Sequence, residues 1–111
     1  MSAETLAEFE LLVMLAALRL GADEAYTVSI VDHIKRRTGR TVRRANVYTA
    51  LRRLEEKGLV ATRMGQPRSE RGGRPPRLVA LTPAGVTAVR SATAAIQSMA
   101  GDLEDVLGAV G

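Results

Sequence analysis

Arg43 to Arg77 reads RRANVYTALRRLEEKGLVATRMGQPRSERGGRPPR, and three textures follow one another along it. From roughly Arg44 to Lys57, Val47, Leu51 and Leu54 stand at i, i+4 and i+7, the spacing of one apolar stripe on a helix, and Gly58 stops the pattern. At about 100° per residue the opposite face carries Ala45, Asn46, Thr49, Arg52, Arg53 and Glu56. Leu59 to Met64 then has strand composition, as does Arg77 to Leu81. Between them Gly65 to Pro76 is a loop rich in Gly, Pro and Arg, which the sequence predicts as a projecting basic hairpin tip.

Upstream, Thr27 is placed to cap a helix that carries Val28, Ile30, Val31 and Ile34 inward and ends at Gly39. A short turn, Arg40 to Val42, joins it to the helix described above, which makes a helix-turn-helix. An earlier helix is expected to start at Thr5, with Glu8 completing a capping box. Phe9, Leu12, Val13, Ala16, Ala17 and Leu20 form its first apolar face, and Gly21 ends it. Leu11, Met14, Leu15 and Leu18 make its other side apolar too, so it needs cover from more than one direction. The architecture is therefore mainly α with a small β-hairpin: a winged helix-turn-helix over residues 1–82.

Residues 83–111 read as a C-terminal helix, opened by the Thr82 cap and by Pro83 at its first position. Val89, Ala92, Ile96, Met99, Leu103, Val106 and Val110 recur every three or four residues, a heptad seam that suits a second helix. Val89, Ile96, Met99, Leu103 and Val106 are the expected homodimer contacts. Gly101 and Gly108 weaken this helix, with fraying expected toward Gly111.

Charge is sharply segregated. Fourteen of the sixteen Lys and Arg residues lie between positions 35 and 77, against the three acids Glu55, Glu56 and Glu70. That segment carries +11 and the remainder −7, so a net charge of +4 conceals a footprint for a polyanion. Double-stranded DNA is the expected partner, since amide, hydroxyl and guanidinium groups on one exposed helix face are those that read base edges. Arg43 and Arg44 add positive charge at the positive end of the helix dipole, a conflict that a phosphate would ease. The wing arginines Arg71, Arg74 and Arg77 suit a minor groove or flanking phosphates. Arg71 to Arg74 also spells RGGR, but one copy inside a hairpin fits a wing better than an RNA-binding repeat.

Composition narrows the rest. With 111 residues the chain makes one core, and with 3% aromatics that core must be aliphatic. There is no cysteine, hence no disulfide, thiolate metal site or thiol redox chemistry. His33 stands alone and cannot form a zinc site, so no metal or cofactor is expected. Glu55 and Glu56 resemble an acid pair, yet Arg52 and Glu56 are spaced as an i, i+4 ion pair. No nucleophile motif or phosphate-binding loop occurs, which argues against an enzyme. The acidic start, Met1-Ser2-Ala3-Glu4, is unlike a secretory signal, and the apolar run Leu11 to Leu18 is too short for a membrane span. A soluble, cytoplasmic protein is expected. One function class is a sequence-specific transcriptional regulator; the other is a winged-helix protein-interaction module or a nonspecific nucleic-acid-binding protein. Asn46, Thr49, Arg52 and Arg53 favour the first, because nonspecific binding needs only phosphate contacts.

The segments Leu6-Ala7-Glu8-Phe9-Glu10, Asn46 to Val60, Glu70-Arg71-Gly72-Gly73-Arg74 and Leu81-Thr82-Pro83-Ala84-Gly85 together closely resemble the PadR family of transcriptional regulators. The resemblance spans nearly the whole chain. It implies a winged helix with a C-terminal dimerisation helix, acting usually as a homodimeric repressor at a palindromic operator, with Tyr48 at the DNA backbone. Thr27, Arg43, Ala45-Asn46 and Leu78-Val79 depart from the family's usual residues. Some members bind ligands between dimer-related helices. An apolar pocket lined by Leu15, Ile96 and Met99 would be the place for an effector here, and its identity is not legible.

Overall fold

The computed structural model describes residues 6–110. Three helices, α1 (Glu8–Leu20), α2 (Thr27–Thr38) and α3 (Arg44–Glu56), precede an antiparallel hairpin of β1 (Val60–Met64) and β2 (Arg77–Leu81). Then follow α4 (Pro83–Ala100) and α5 (Leu103–Val110). The order and types of element are those of a winged helix-turn-helix. Strand register pairs Val60 with Leu81 and Met64 with Arg77, so the wing loop closes the hairpin at the Met64–Arg77 end.

The core is aliphatic. Val13, Met14, Ile30, Val47 and Leu54 are completely or almost completely buried, joined by Leu11, Ala16, Ala17, Ile34, Ala50, Leu51, Leu59, Val60, Val79 and Val89. The predicted stripe of α3 thus lies inward as expected, with Ala50 beside it. In α2, Ile30 and Ile34 are buried, whereas Val28 and Val31 are half-buried. In α1 the deepest side chains come from both apolar faces, Leu11 and Met14 as well as Val13, Ala16 and Ala17.

Both N-terminal caps differ from expectation. Thr5 lies outside the described residues; α1 begins after Ala7, whose N–H donates to Glu10 Oε1 at 3.1 Å. An alanine supplies no side-chain acceptor, so only the returning half of a capping box exists there. Glu8 is free for a distant arginine instead. In α2 the cap position is Tyr26, not Thr27, and Ser29 Oγ takes the Tyr26 N–H at 3.0 Å while donating to the Glu24 carbonyl at 2.6 Å.

The root of α4 is fastened to the end of α3. Thr82 Oγ1 accepts the Gly85 N–H at 3.1 Å and donates to the Gly58 carbonyl at 2.7 Å, and the Thr82 N–H donates to the Leu59 carbonyl at 3.1 Å. Val89 completes this junction, only 6% exposed within the chain's own core. The first half of α4 is therefore packed, while residues from Ala94 onward are exposed and the body extends to 55 Å along one axis.

The expected unbroken C-terminal helix is divided. Gly101 adopts φ −56°, ψ 140°, and Asp102 has φ 61°, the left-handed region that Asp tolerates better than most side chains. Leu103, Val106, Leu107 and Val110 then form the apolar stripe of α5. The predicted fraying toward Gly111 ends at a residue outside those described.

Candidate nucleic-acid interface

Burying Val47, Ala50, Leu51 and Leu54 forces the rest of α3 outward. The exposed residues divide into two flanks. Tyr48 and Arg52, with Glu55, turn toward the wing and line a cleft of about 440 Å³ completed by Tyr26, Thr27, Leu51, Thr62, Arg71, Arg77 and Val79. Asn46, Thr49 and Arg53 turn the other way, into a depression of about 710 Å³ shared with Ala7, Phe9, Glu10, Ala50 and Lys57 at the start of α1. The sequence places all four polar candidates on one face; the fold sets them on either side of a crest.

Among the described residues no side chain caps the start of α3, and no acid occupies its first turn, although Arg43 and Arg44 stand there. Two arginines at the positively polarised start of this helix make it receptive to an anion. The turn before it is ordered by Lys35 Nζ, which donates to Thr41 Oγ1 at 3.0 Å and to the Gly39 carbonyl at 3.3 Å.

Acids from the negative remainder of the chain neutralise basic groups at the margin. Arg40 makes a two-pronged pair with Glu8, both bonds 3.2 Å, which holds the Glu8 carboxyl below the usual carboxylate range and raises the Arg40 pKa. Lys57 meets both carboxylate oxygens of Glu10 at 3.3 Å. Arg63 reaches Asp23 at 2.6 Å, and Arg68 reaches Glu24 at 3.0 Å. Arg43, Arg44, Arg52, Arg53, Arg71, Arg74 and Arg77 have no carboxylate partner among the described residues. The expected Arg52–Glu56 pair is absent among them; Glu55 instead accepts from the Thr62 hydroxyl at 2.8 Å, tying α3 to β1.

The wing does not project as a free tip. Ser69–Arg71 forms a short 3-10 turn, and the loop folds back on the link between α1 and α2. The cause is long-range pairing: Arg63 and Arg68 both find acids on that link, and the Val79 N–H donates to the Ala25 carbonyl at 2.9 Å. Arg74 and Arg77 remain exposed, Arg74 with its Nε donating to the Arg71 carbonyl at 3.2 Å. Tyr26, absent from the sequence-derived candidates, proves to be a wall of the cleft. Its signal in the sequence is faint: one of only two tyrosines, close to the acids Asp23 and Glu24.

The five C-terminal candidates separate. Val89 is internal, whereas Ile96, Met99, Leu103 and Val106 are exposed, Met99 by 87%. Ile96, Met99 and Leu103 border an open recess of about 500 Å³ with Ala95 and Ala100; Leu15 is not part of it. Among the described residues no group of His, Asp and Glu could hold a metal, and no helix is long and apolar enough to cross a membrane.

Residues 14–91 match the family described as Transcriptional regulator PadR-like family. No curated protein matches. Among solved structures, a PadR family transcriptional regulator from Eggerthella lenta DSM 2243 is similar at 25% identity and TM-score 0.67, over 86% of this chain and 80% of that one. A putative transcriptional regulator from Thermoplasma acidophilum shares the fold at 17% identity and TM-score 0.68, over 88% and 91%. With most of its length matched, the chain belongs to the PadR-like family and is a DNA-binding transcriptional regulator.

Proposed function

We propose that this regulator is a repressor that binds a two-fold operator as a homodimer. The observation that carries the reading is the run of arginines on α3 and the wing that have no carboxylate partner among the described residues, while neighbouring basic groups are paired. Arginine left unpaired on a continuous face serves a polyanion. Asn46, Thr49, Arg52 and Arg53 on the crest and its flanks supply the donors and acceptors that discriminate base pairs in a major groove. Arg43, Arg44, Tyr48, Arg74 and Arg77 grip the sugar–phosphate strands on either side.

A second copy of the chain is the partner that the C-terminal half calls for. Ile96, Met99, Leu103, Val106, Leu107 and Val110 are exposed, and each large apolar side chain fully covered contributes about 1.5–3 kcal/mol. Two-fold pairing presents two recognition helices to two half-sites. Repression then follows by occupancy, since a dimer lying across a promoter excludes other proteins without further chemistry. A gel-shift titration with the duplex flanking the chain's own gene, against a random duplex of equal length, tests this. Tight, saturable binding to the first and weak binding to the second is expected; equal affinity for both would leave a nonspecific nucleic-acid-binding protein.

A further inference from the structure

Tyr26 lies under the wing. It is 8% exposed at the cap position of α2, and two guanidinium carbons stand over its ring, Arg68 at 5.5 Å and Arg71 at 5.1 Å from the centroid. Arg68 is further held by Glu24 and by the Asp23 carbonyl oxygen, at 3.0 and 2.6 Å. Arg71 differs. Among the described residues no carboxylate pairs with it, and its Nε is buried without a hydrogen-bond partner. A buried cationic donor without a partner is costly, and the electron-rich face of the Tyr26 ring is the group beside it that offsets the charge.

We propose that Tyr26 is the positioning residue of the wing. Its ring holds Arg68 and Arg71, fixing the turn Ser69–Arg71 at the cleft so that Arg74 stands at a set distance from α3, as strand pairing with Met64 already holds Arg77. This rests on the DNA-binding reading above and adds that Arg71 acts through the ring and is not a phosphate ligand. The loop has two consecutive glycines with positive φ, Gly72 and Gly73, so without an anchor it would sample many conformations. Ordering it on DNA would consume binding free energy; a clamp that orders it beforehand avoids that loss. Breaking the clamp therefore weakens binding but leaves the number of phosphates neutralised, and hence the salt dependence, unchanged.

The test uses the full chain as Y26F, Y26L, R71A and the double variant Y26L/R71A. Two readouts are taken: amide hydrogen exchange of residues 65–76 in the free protein, and binding to the flanking duplex over a salt series. Y26F keeps the aromatic face and should bind within about twofold of the native chain. Y26L and R71A should each lose wing protection and bind about tenfold more weakly, with an unchanged log K against log salt slope, and the double variant should be no weaker than either. If R71A lowers the slope by about 0.9 while Y26L binds like the native chain, Arg71 is a phosphate ligand and the proposal fails. Undiminished wing protection in folded Y26L and R71A also overturns it. Should Y26L fail to fold by circular dichroism, R71A and R68A, which leave the ring in place, decide the matter. A native chain that binds no duplex would refute the DNA reading, while the exchange measurement would still decide the clamp.

Discussion

A methyl group on Gly85 would stand 2.0 Å from the Leu59 carbonyl oxygen and 3.2 Å from Met14 Cε. Alanine gains up to about 1 kcal/mol over glycine in helix propensity, but backbone cannot yield as a side chain can, and overpacking of this kind costs about 1–3 kcal/mol or more. Gly85→Ala should therefore destabilise the fold, seen as a lower urea midpoint with an unchanged slope. His33 offers a second residue-scale test. Its burial, followed by the charges of Arg36, Arg19 and Arg37, lowers its pKa, and its Nε2 is buried without a partner among the described residues. The unfolded chain takes up a proton near about 6.5 and the native chain only at lower pH. The contribution of neutral His33 is thus complete above that value and lost as pH falls through the folded pKa. In His33→Gln, urea denaturation from pH 7 downward should show a shallower decline over that window; an identical decline would contradict the assignment.

At the scale of elements, α3 and the wing should fail differently when altered. Asn46→Ala or Arg52→Ala should cost about 1–3 kcal/mol on the cognate duplex if either makes a bidentate base contact, and much less on random DNA. Arg74→Ala with Arg77→Ala should weaken both duplexes alike and reduce the salt slope by about 0.9 for each phosphate no longer neutralised. Anisotropy titrations on the two duplexes separate these patterns, and equal losses for Asn46→Ala on both would demote it to a backbone ligand. The Val47, Leu51, Leu54 stripe and the two strands are legible in the sequence because side-chain periodicity is a local signal. The folded-back wing is not: Arg68 meets the Asp23 carbonyl and Glu24 from more than 40 positions away, and nothing in the loop's own composition announces acids on another connection. The heptad pattern likewise runs through Gly101-Asp102, because periodicity registers which residues are apolar and not whether the backbone between them stays helical. Val89 fits the seam equally well, yet the docking of α4 through Thr82 and Gly85 brings it into the chain's own core.

For the whole molecule, charge and apolar surface lie on different parts. Glu8, Glu10, Asp23 and Glu24 neutralise basic groups bordering the proposed DNA face, while the end of α4 and all of α5 expose aliphatic side chains without a single Lys or Arg after Arg90. Assembly can therefore be perturbed without altering any of the basic residues proposed to meet DNA. Ile96→Asp or Leu103→Asp would bring a carboxylate into the proposed seam, at a cost of several kcal/mol unless it protonates or escapes to water. Sedimentation should show a folded monomer that has lost most specific affinity, since its half-sites no longer reinforce one another. A folded monomer with native affinity for the full operator would refute the dimer mechanism. The most direct measurement is a hydroxyl-radical footprint of the native chain on the duplex flanking its gene. Two protected patches related by a two-fold axis are expected, their centres about 34 Å or one helical turn apart, with the recognition helices in successive major grooves. One asymmetric patch, or uniform protection along the duplex, would contradict it.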